Sequence, residues 1–176
     1  WYDLTMIHVC LYEDQAYQQL EPLTSNKPSY ALQIGTDRII DKVLRYYGHS
    51  NVSLHTRSYL KKSVNIEFPD FSVNSINKGT GCLFINGRVV LHDALYYHLS
   101  QIEEHRNHLF LHQGQVVAMY VKGGELLDKV VTMLNTIPTQ KSLVDLLRKN
   151  AVTKEIEDVW LISHGWDFLT LQDKVL

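Results

Sequence analysis

The chain has 176 residues, 45% hydrophobic and 20% charged, with a formal net charge of −2. That profile describes one globular domain with its own core and excludes a disordered chain. The near-neutral balance excludes broad nucleic-acid binding, and no apolar stretch approaches the ~20 residues of a membrane span.

Residues 1–5 carry no basic flank and no small-residue cleavage site, so they do not read as a signal peptide. The sharper pattern begins at Met6, which points to 1–5 as an extension and to a domain spanning 6–176. Residues 7–12 are a short apolar run that predicts a buried strand. Residues 13–28 are polar, contain two prolines and lack periodicity, which predicts a loop. Thr36 is placed to cap a helix carrying Ile39, Ile40, Val43, Leu44 and Tyr47, with Asp37 in the first turn and Gly48 as its stop. Residues 51–56 fit a second strand, and residues 57–62 a short helix or turn.

Gly79 and Gly81 flank a turn before a third strand at 82–86. Asp93 opens a helix with Leu95, Leu99 and Ile102 on one face. Residues 109–111 and 115–121 predict a hairpin around Gln113 and Gly114. Gly123 and Gly124 precede a helix built on Leu126, Leu127, Val130, Val131 and Leu134, and Pro138 ends that segment. Ser142 with Asp145 predicts a capping box for a helix carrying Leu143, Leu146 and Leu147. Residues 160–176 stay apolar and patterned to the last position, which predicts a chain that continues. Strands alternating with helices predict an α/β domain with a mostly parallel sheet.

Two strand-end segments carry candidate chemistry. The loop Glu21-Pro22-Leu23-Thr24-Ser25-Asn26-Lys27-Pro28 follows strand one, where open α/β sheets bind ligands. Thr24 offers a hydroxyl and Lys27 a charge for a phosphate, although two prolines stiffening a surface loop account for the same residues. Asn86-Gly87-Arg88 ends the third strand. Gly87 lets the backbone turn or approach a ligand, and Arg88 offers a bidentate contact to phosphate or carboxylate. A plain turn with a solvated arginine is the competing reading.

His92, His98, His105, His108 and His112 lack metal-site spacing and read as surface or locally bonded histidines. One tyrosine of each pair, Tyr46-Tyr47 and Tyr96-Tyr97, is expected to face the core. Lys61-Lys62 and Arg148-Lys149 fall near helix ends, where the helix dipole accounts for them. Cys10 and Cys82 lie in apolar runs, form no Cys-x-x-Cys motif, and read as buried thiols in a reducing cytoplasm.

Four motifs in order carry a resemblance: Tyr12-Glu13-Asp14, Pro22-Leu23-Thr24 followed by three residues and Pro28, Arg57-Ser58-Tyr59-Leu60, and Asn86-Gly87-Arg88. Together they resemble the sugar-1-phosphate nucleotidyltransferases, and among these the divergent bacterial proteins related to bifunctional N-acetylglucosamine-1-phosphate uridyltransferase. Gly165-Trp166-Asp167 resembles the W-D of that branch. The resemblance implies a Rossmann-like nucleotidyltransferase domain, the N-terminal part of a longer cytoplasmic protein. A left-handed β-helix acyltransferase region would follow it, through which copies would form a homo-oligomer. It implies a nucleoside triphosphate and a sugar 1-phosphate as substrates and magnesium as cofactor. On this resemblance Lys27 and Arg88 are catalytic. Pro22, Leu23, Thr24, Arg38, Arg57, Asn86 and Gly87 then form the nucleotide and phosphate site.

The chain departs from that pattern at three points. No glycine lies between Asp14 and Pro22, where the family has a Gly-rich loop cradling the triphosphate. Ser29 stands where a lysine follows the proline, and Arg88 where the family has its magnesium-binding Asp. Either another carboxylate holds the metal, with Glu13, Asp14 and Asp93 as candidates, or Arg88 supplies fixed positive charge in its place. The departures keep a second reading open, a non-catalytic module that binds a nucleotide or sugar nucleotide and orients or regulates the region after it.

Overall fold

The computed structural model describes residues 7–176; the expected extension at 1–5 and start at Met6 lie outside the described residues. β1 (His8–Tyr12) leads into a 3-10 turn at Gln15–Leu20. A small hairpin of β2 (Gln33–Ile34) and β3 (Asp37–Arg38) precedes α1 (Ile39–Tyr47). β4 (Val52–Leu54) and α2 (Lys61–Glu67) follow. Then come β5 (Cys82–Asn86), β6 (Val89–Val90) and α3 (Asp93–Leu99). β7 (His108–His112) and β8 (Gln115–Val121) form a hairpin, and α4 (Glu125–Leu134) and α5 (Gln140–Leu147) come next. β9 (Val152–Glu155), β10 (Trp160–Leu161) and α6 (Asp167–Val175) complete the described chain.

The main sheet has the order β4-β1-β5-β8-β7-β9. β1 pairs in parallel with β4 and β5, and β9 with β7, while β8 runs antiparallel to both its neighbours. One strand therefore opposes the other five, and the sheet is mostly parallel with helices on both faces, as expected. The side-chain period of two explains why β1 and β5 read as unbroken apolar runs. Val9, Leu11, Leu83 and Ile85 face a core shared with α1, α2, α3 and α6. Cys10, Tyr12, Cys82 and Phe84 face the opposite core, shared with α4 and α5. Both cysteines are free and buried, and burial pushes the Cys10 thiol up to about 12.

Where the local structure departs from these expectations, the physical cause is visible. Residues 13–28 are not structureless, because Asp14 accepts the Ala16 N–H at 3.0 Å and caps the 3-10 turn. Arg38, not Thr36, is the N-cap of α1, with Asp41 accepting its N–H at 2.9 Å. Thr139 caps α5 by accepting the Ser142 N–H at 3.1 Å, so Ser142 lies inside the helix it was expected to start. Lys61 and Lys62 open α2, so the dipole does not account for them; Arg148 and Lys149 do follow the end of α5. The pattern across 160–176 resolves into β10, paired with β6, and α6. Gln113 and Gly114, at φ 50° and 78°, make the expected hairpin turn. Tyr47 is buried and Tyr97 exposed, while Tyr96 stacks on Tyr46 with ring centroids 4.7 Å apart. Among the described residues, no helix is long and apolar enough to cross a membrane.

Burial holds His8, His55, His92 and His108 below their ordinary pKa of 6.5. For such a group the unfolded chain takes up a proton that the folded chain resists. Its stabilising contribution is full above pH 6.5 and is lost as pH falls from there toward the lower folded values. Urea denaturation should therefore show lower stability at about pH 5.5 than at about pH 7.5, with a shallower slope for His55→Asn. An identical slope in His55→Asn would remove His55 from this account.

Candidate functional site

β1, β4 and β5 end side by side, with β4 on one side of β1 and β5 on the other. The connections diverge at β1 and leave a crevice beyond the carboxyl ends of the strands, the usual ligand position in such sheets. Each strand hands its next residues to this crevice: Glu13 and Asp14 after β1, His55, Thr56 and Arg57 after β4, and Gly87 and Arg88 after β5.

Glu13, Asp14, Arg57 and Arg88 are each no more than 2% exposed and form two buried ion pairs. Glu13 Oε1 accepts from Ser29 N at 3.0 Å and Arg57 Nη2 at 3.2 Å. Its Oε2 accepts from Thr56 Oγ1 at 2.9 Å, Arg57 Nε at 3.2 Å and Arg57 N at 3.3 Å. Arg57 also donates to the Lys27 carbonyl at 2.9 Å and to the Tyr59 hydroxyl at 2.6 Å. Its guanidinium carbon lies 3.8 Å from the centroid of the Tyr17 ring. This pair is stabilised because every charged oxygen meets several donors, which offsets the cost of removing both charges from water.

The second pair closes the floor. Asp14 Oδ2 accepts from Asn86 Nδ2 at 2.8 Å, from Arg88 Nη2 at 3.2 Å and from Gln140 Nε2. Arg88 Nη1 donates to the Ile162 carbonyl at 3.0 Å, and Nη2 also reaches Gln115 Oε1 at 3.3 Å. Arg88 is thus turned inward, which overturns the reading of it as a solvated turn residue. Gly87 lies so close to β1 that a Cβ there would meet Ser29 Oγ at 2.8 Å and the Tyr12 carbonyl and Tyr30 Cδ1 at 2.9 Å. Gly87→Ala should therefore cost about 1–3 kcal/mol through overpacking, seen as a lower urea midpoint. A midpoint equal to wild type would show that the loop has room to yield.

Above the floor, the loop of residues 13–28 has no glycine cradle, and its first amides have partners within the fold. Gln15 N donates to the Pro138 carbonyl at 2.9 Å, Ala16 N to Asp14, and Tyr17 N to the Asp14 carbonyl at 3.3 Å. Thr24 is buried, donating to the Tyr17 carbonyl at 2.7 Å, whereas Pro22, Leu23 and Lys27 are exposed. A cavity of about 270 Å³ opens between this loop, the Arg57–Tyr59 turn and the α4–α5 connection, with Gln15, Gln18, Tyr17 and Asn135 in its wall. His55 braces that wall, its Nε2 lying 2.9 Å from Asn135 Oδ1.

The model of the sugar nucleotidyl transferase family matches residues 9–176. The chain belongs to that family. No curated protein matches the sequence. Among solved structures, a CTP:phosphocholine cytidylyltransferase from Streptococcus pneumoniae superposes with a TM-score of 0.61 at 12% identity, covering 97% of this chain and 99% of that one. A Bacillus anthracis protein described as a glucose-1-phosphate thymidylyltransferase gives a TM-score of 0.60 at 9% identity, covering 96% and 94%. These likenesses establish the nucleotidyltransferase fold.

Of the residues expected to act together, Glu13, Asp14, Arg57, Asn86, Gly87 and Arg88 converge, and the exposed Lys27 joins them through its backbone carbonyl, which accepts from Arg57. Arg38 is engaged elsewhere, pairing with Asp41 at 3.0 Å and Glu67 at 3.5 Å. Asp93 sits in the first turn of α3, where the Tyr46 hydroxyl donates to it. The family resemblance implies a divalent cation, and the donor set does not fit one. Glu13 and Asp14 are held by N–H and O–H donors, Asp93 accepts from the Tyr46 hydroxyl, and among the described residues no three Asp, Glu, His or Cys side chains gather as a metal site. Gln140, Gln115, Thr56 and Tyr17 also belong to the site, although no motif contains them. No local signal marks Gln140 or Gln115, because their role exists only once α5 and β8 pack beside β1 and β5.

Proposed function

We propose that this chain is a sugar-1-phosphate nucleotidyltransferase domain, joining a nucleoside triphosphate to a sugar 1-phosphate. The observation that carries the reading is the meeting of all four motif segments at the ends of β1, β4 and β5. In the reaction the sugar phosphate oxygen forms a bond to the α-phosphorus, and the bond to the departing pyrophosphate breaks. Positioning and fixed charge do most of the work in such transfers. The exposed Lys27 meets the phosphates, Pro22, Leu23 and Thr24 shape the loop over the nucleotide, and Arg57 lines the cavity. Asn86, Gly87 and Arg88 hold the floor against Asp14. The resemblance further supports a place among the bacterial proteins related to bifunctional N-acetylglucosamine-1-phosphate uridyltransferase. On that reading a left-handed β-helix acyltransferase region follows, copies assemble through it, and the protein is cytoplasmic.

The test is pyrophosphate release by the full-length protein with a panel of nucleoside triphosphates and sugar 1-phosphates. Turnover with one pair is expected, and Lys27→Ala should weaken nucleotide binding by about 1.5–3 kcal/mol, the range of a hydrogen bond to a charged group. A second reading is favoured by the amides of residues 15–17, which are bonded internally, and by the two arginines held on carboxylates. It is a non-catalytic module that binds a nucleotide or sugar nucleotide and orients or regulates the following region. Tight nucleotide binding without turnover for any pair would select it.

A further inference from the structure

We infer that this domain has no divalent-cation site at the ends of β1 and β5, and that the Arg88 guanidinium supplies there the positive charge a metal would otherwise bring. Each carboxylate oxygen of Glu13 and Asp14 is already an acceptor. Asp14 Oδ1 takes the Ala16 N–H, and Oδ2 takes Asn86, Arg88 and Gln140. Glu13 takes five donor contacts over its two oxygens. Those donors point their positive ends at the lone pairs a metal needs. Magnesium demands near-octahedral oxygen geometry and is reluctant to shed water, so it does not displace such a shell.

The guanidinium also stays in place. Arg88 is 1% exposed, bonded to the Ile162 carbonyl and to Gln115 as well as Asp14, so it has no solvent position to move to. A dication beside Asp14 would sit against a fixed charge whose Nη2 lies 3.2 Å from the same oxygen. Direct contact with phosphate is left to side chains that remain available. Lys27 is exposed, beside Arg57, which bonds its carbonyl. Arg57 uses four of its five guanidinium N–H groups, on Glu13, Lys27 and Tyr59, and lines the cavity with the fifth free. The domain therefore takes its phosphate-bearing ligand in a metal-independent way; this last step rests on the nucleotide reading above, whereas the missing cation site does not.

Manganese(II) titrated into the metal-free protein, followed by the EPR signal of the free ion, tests the site directly. The free signal is expected to grow in proportion from the first addition. A saturable site filled at micromolar manganese and lost in Asp14→Asn would overturn the inference. Calorimetry with each of the four nucleoside triphosphates, in EDTA and in excess magnesium, tests the ligand. For those that bind, affinities are expected to agree within about threefold, and a loss of about tenfold or more in EDTA would overturn the metal-independent step. If none of the four binds, the nucleotide reading fails, and the manganese titration still decides the cation site.

Discussion

Arg57→Ala is expected to lower stability by about 3–5 kcal/mol, the range for breaking a buried ion pair by removing one partner. The variant leaves Glu13 with Ser29 N, Thr56 Oγ1 and the residue-57 amide as donors but without a countercharge, at 1% exposure. It also strips the guanidinium from the Tyr17 ring and frees the Lys27 carbonyl, so the loop over the crevice loses its anchor. Equilibrium urea unfolding measures the loss. Pairing the change with Glu13→Gln should recover part of it, because a neutral amide no longer leaves a charge stranded. A loss below about 1 kcal/mol, the worth of an exposed pair, would mean that the pair is hydrated in solution.

Arg88→Met should cost a similar amount, about 3–5 kcal/mol, for the same reason at Asp14. Methionine keeps much of the apolar stem and removes the charge, so the measurement isolates the ion pair from packing. The consequences differ in place. Arg88 bonds the Ile162 carbonyl with its side chain and the Ile162 N–H with its own carbonyl, at 3.0 Å and 2.9 Å. It thereby ties the chain just after β10 to the strand-end floor. Hydrogen exchange should quicken in residues 160–175 before it does in β1. The double variant Asp14→Asn with Arg88→Met should be more stable than Arg88→Met alone. Equal stability of the two would show that Asp14 carries no uncompensated charge in the single variant.

Much of the framework was legible along the chain. The apolar runs at 7–12 and 82–86, the periodicity of 39–47 and 126–134, and the hairpin signal at Gln113 and Gly114 each rest on local rules. Those rules depend on residues a few positions apart. The helix starts were less legible: Thr36 and Ser142 both have capping chemistry, yet Arg38 and Thr139 hold the caps. Several residues near each start could cap, and the packing of the helix selects among them. β9 escaped notice because all four of its residues are exposed, so no apolar alternation marks a strand held at the edge by β7.

The site divides in the same way. The order of the motifs and the strand each one follows are properties of the chain, and together they pointed to the family and to the carboxyl ends of the strands. The partner of each charge was not. Asp14 reaches Arg88, 74 positions away, and Gln140, 126 positions away, only because β1, β5 and α5 pack together. An arginine after a strand reads equally well as a phosphate contact or a solvated turn. Burial between Asp14, Gln115 and the Ile162 carbonyl makes it the fixed charge of a closed floor, since a guanidinium withdrawn from water must find its acceptors inside the fold.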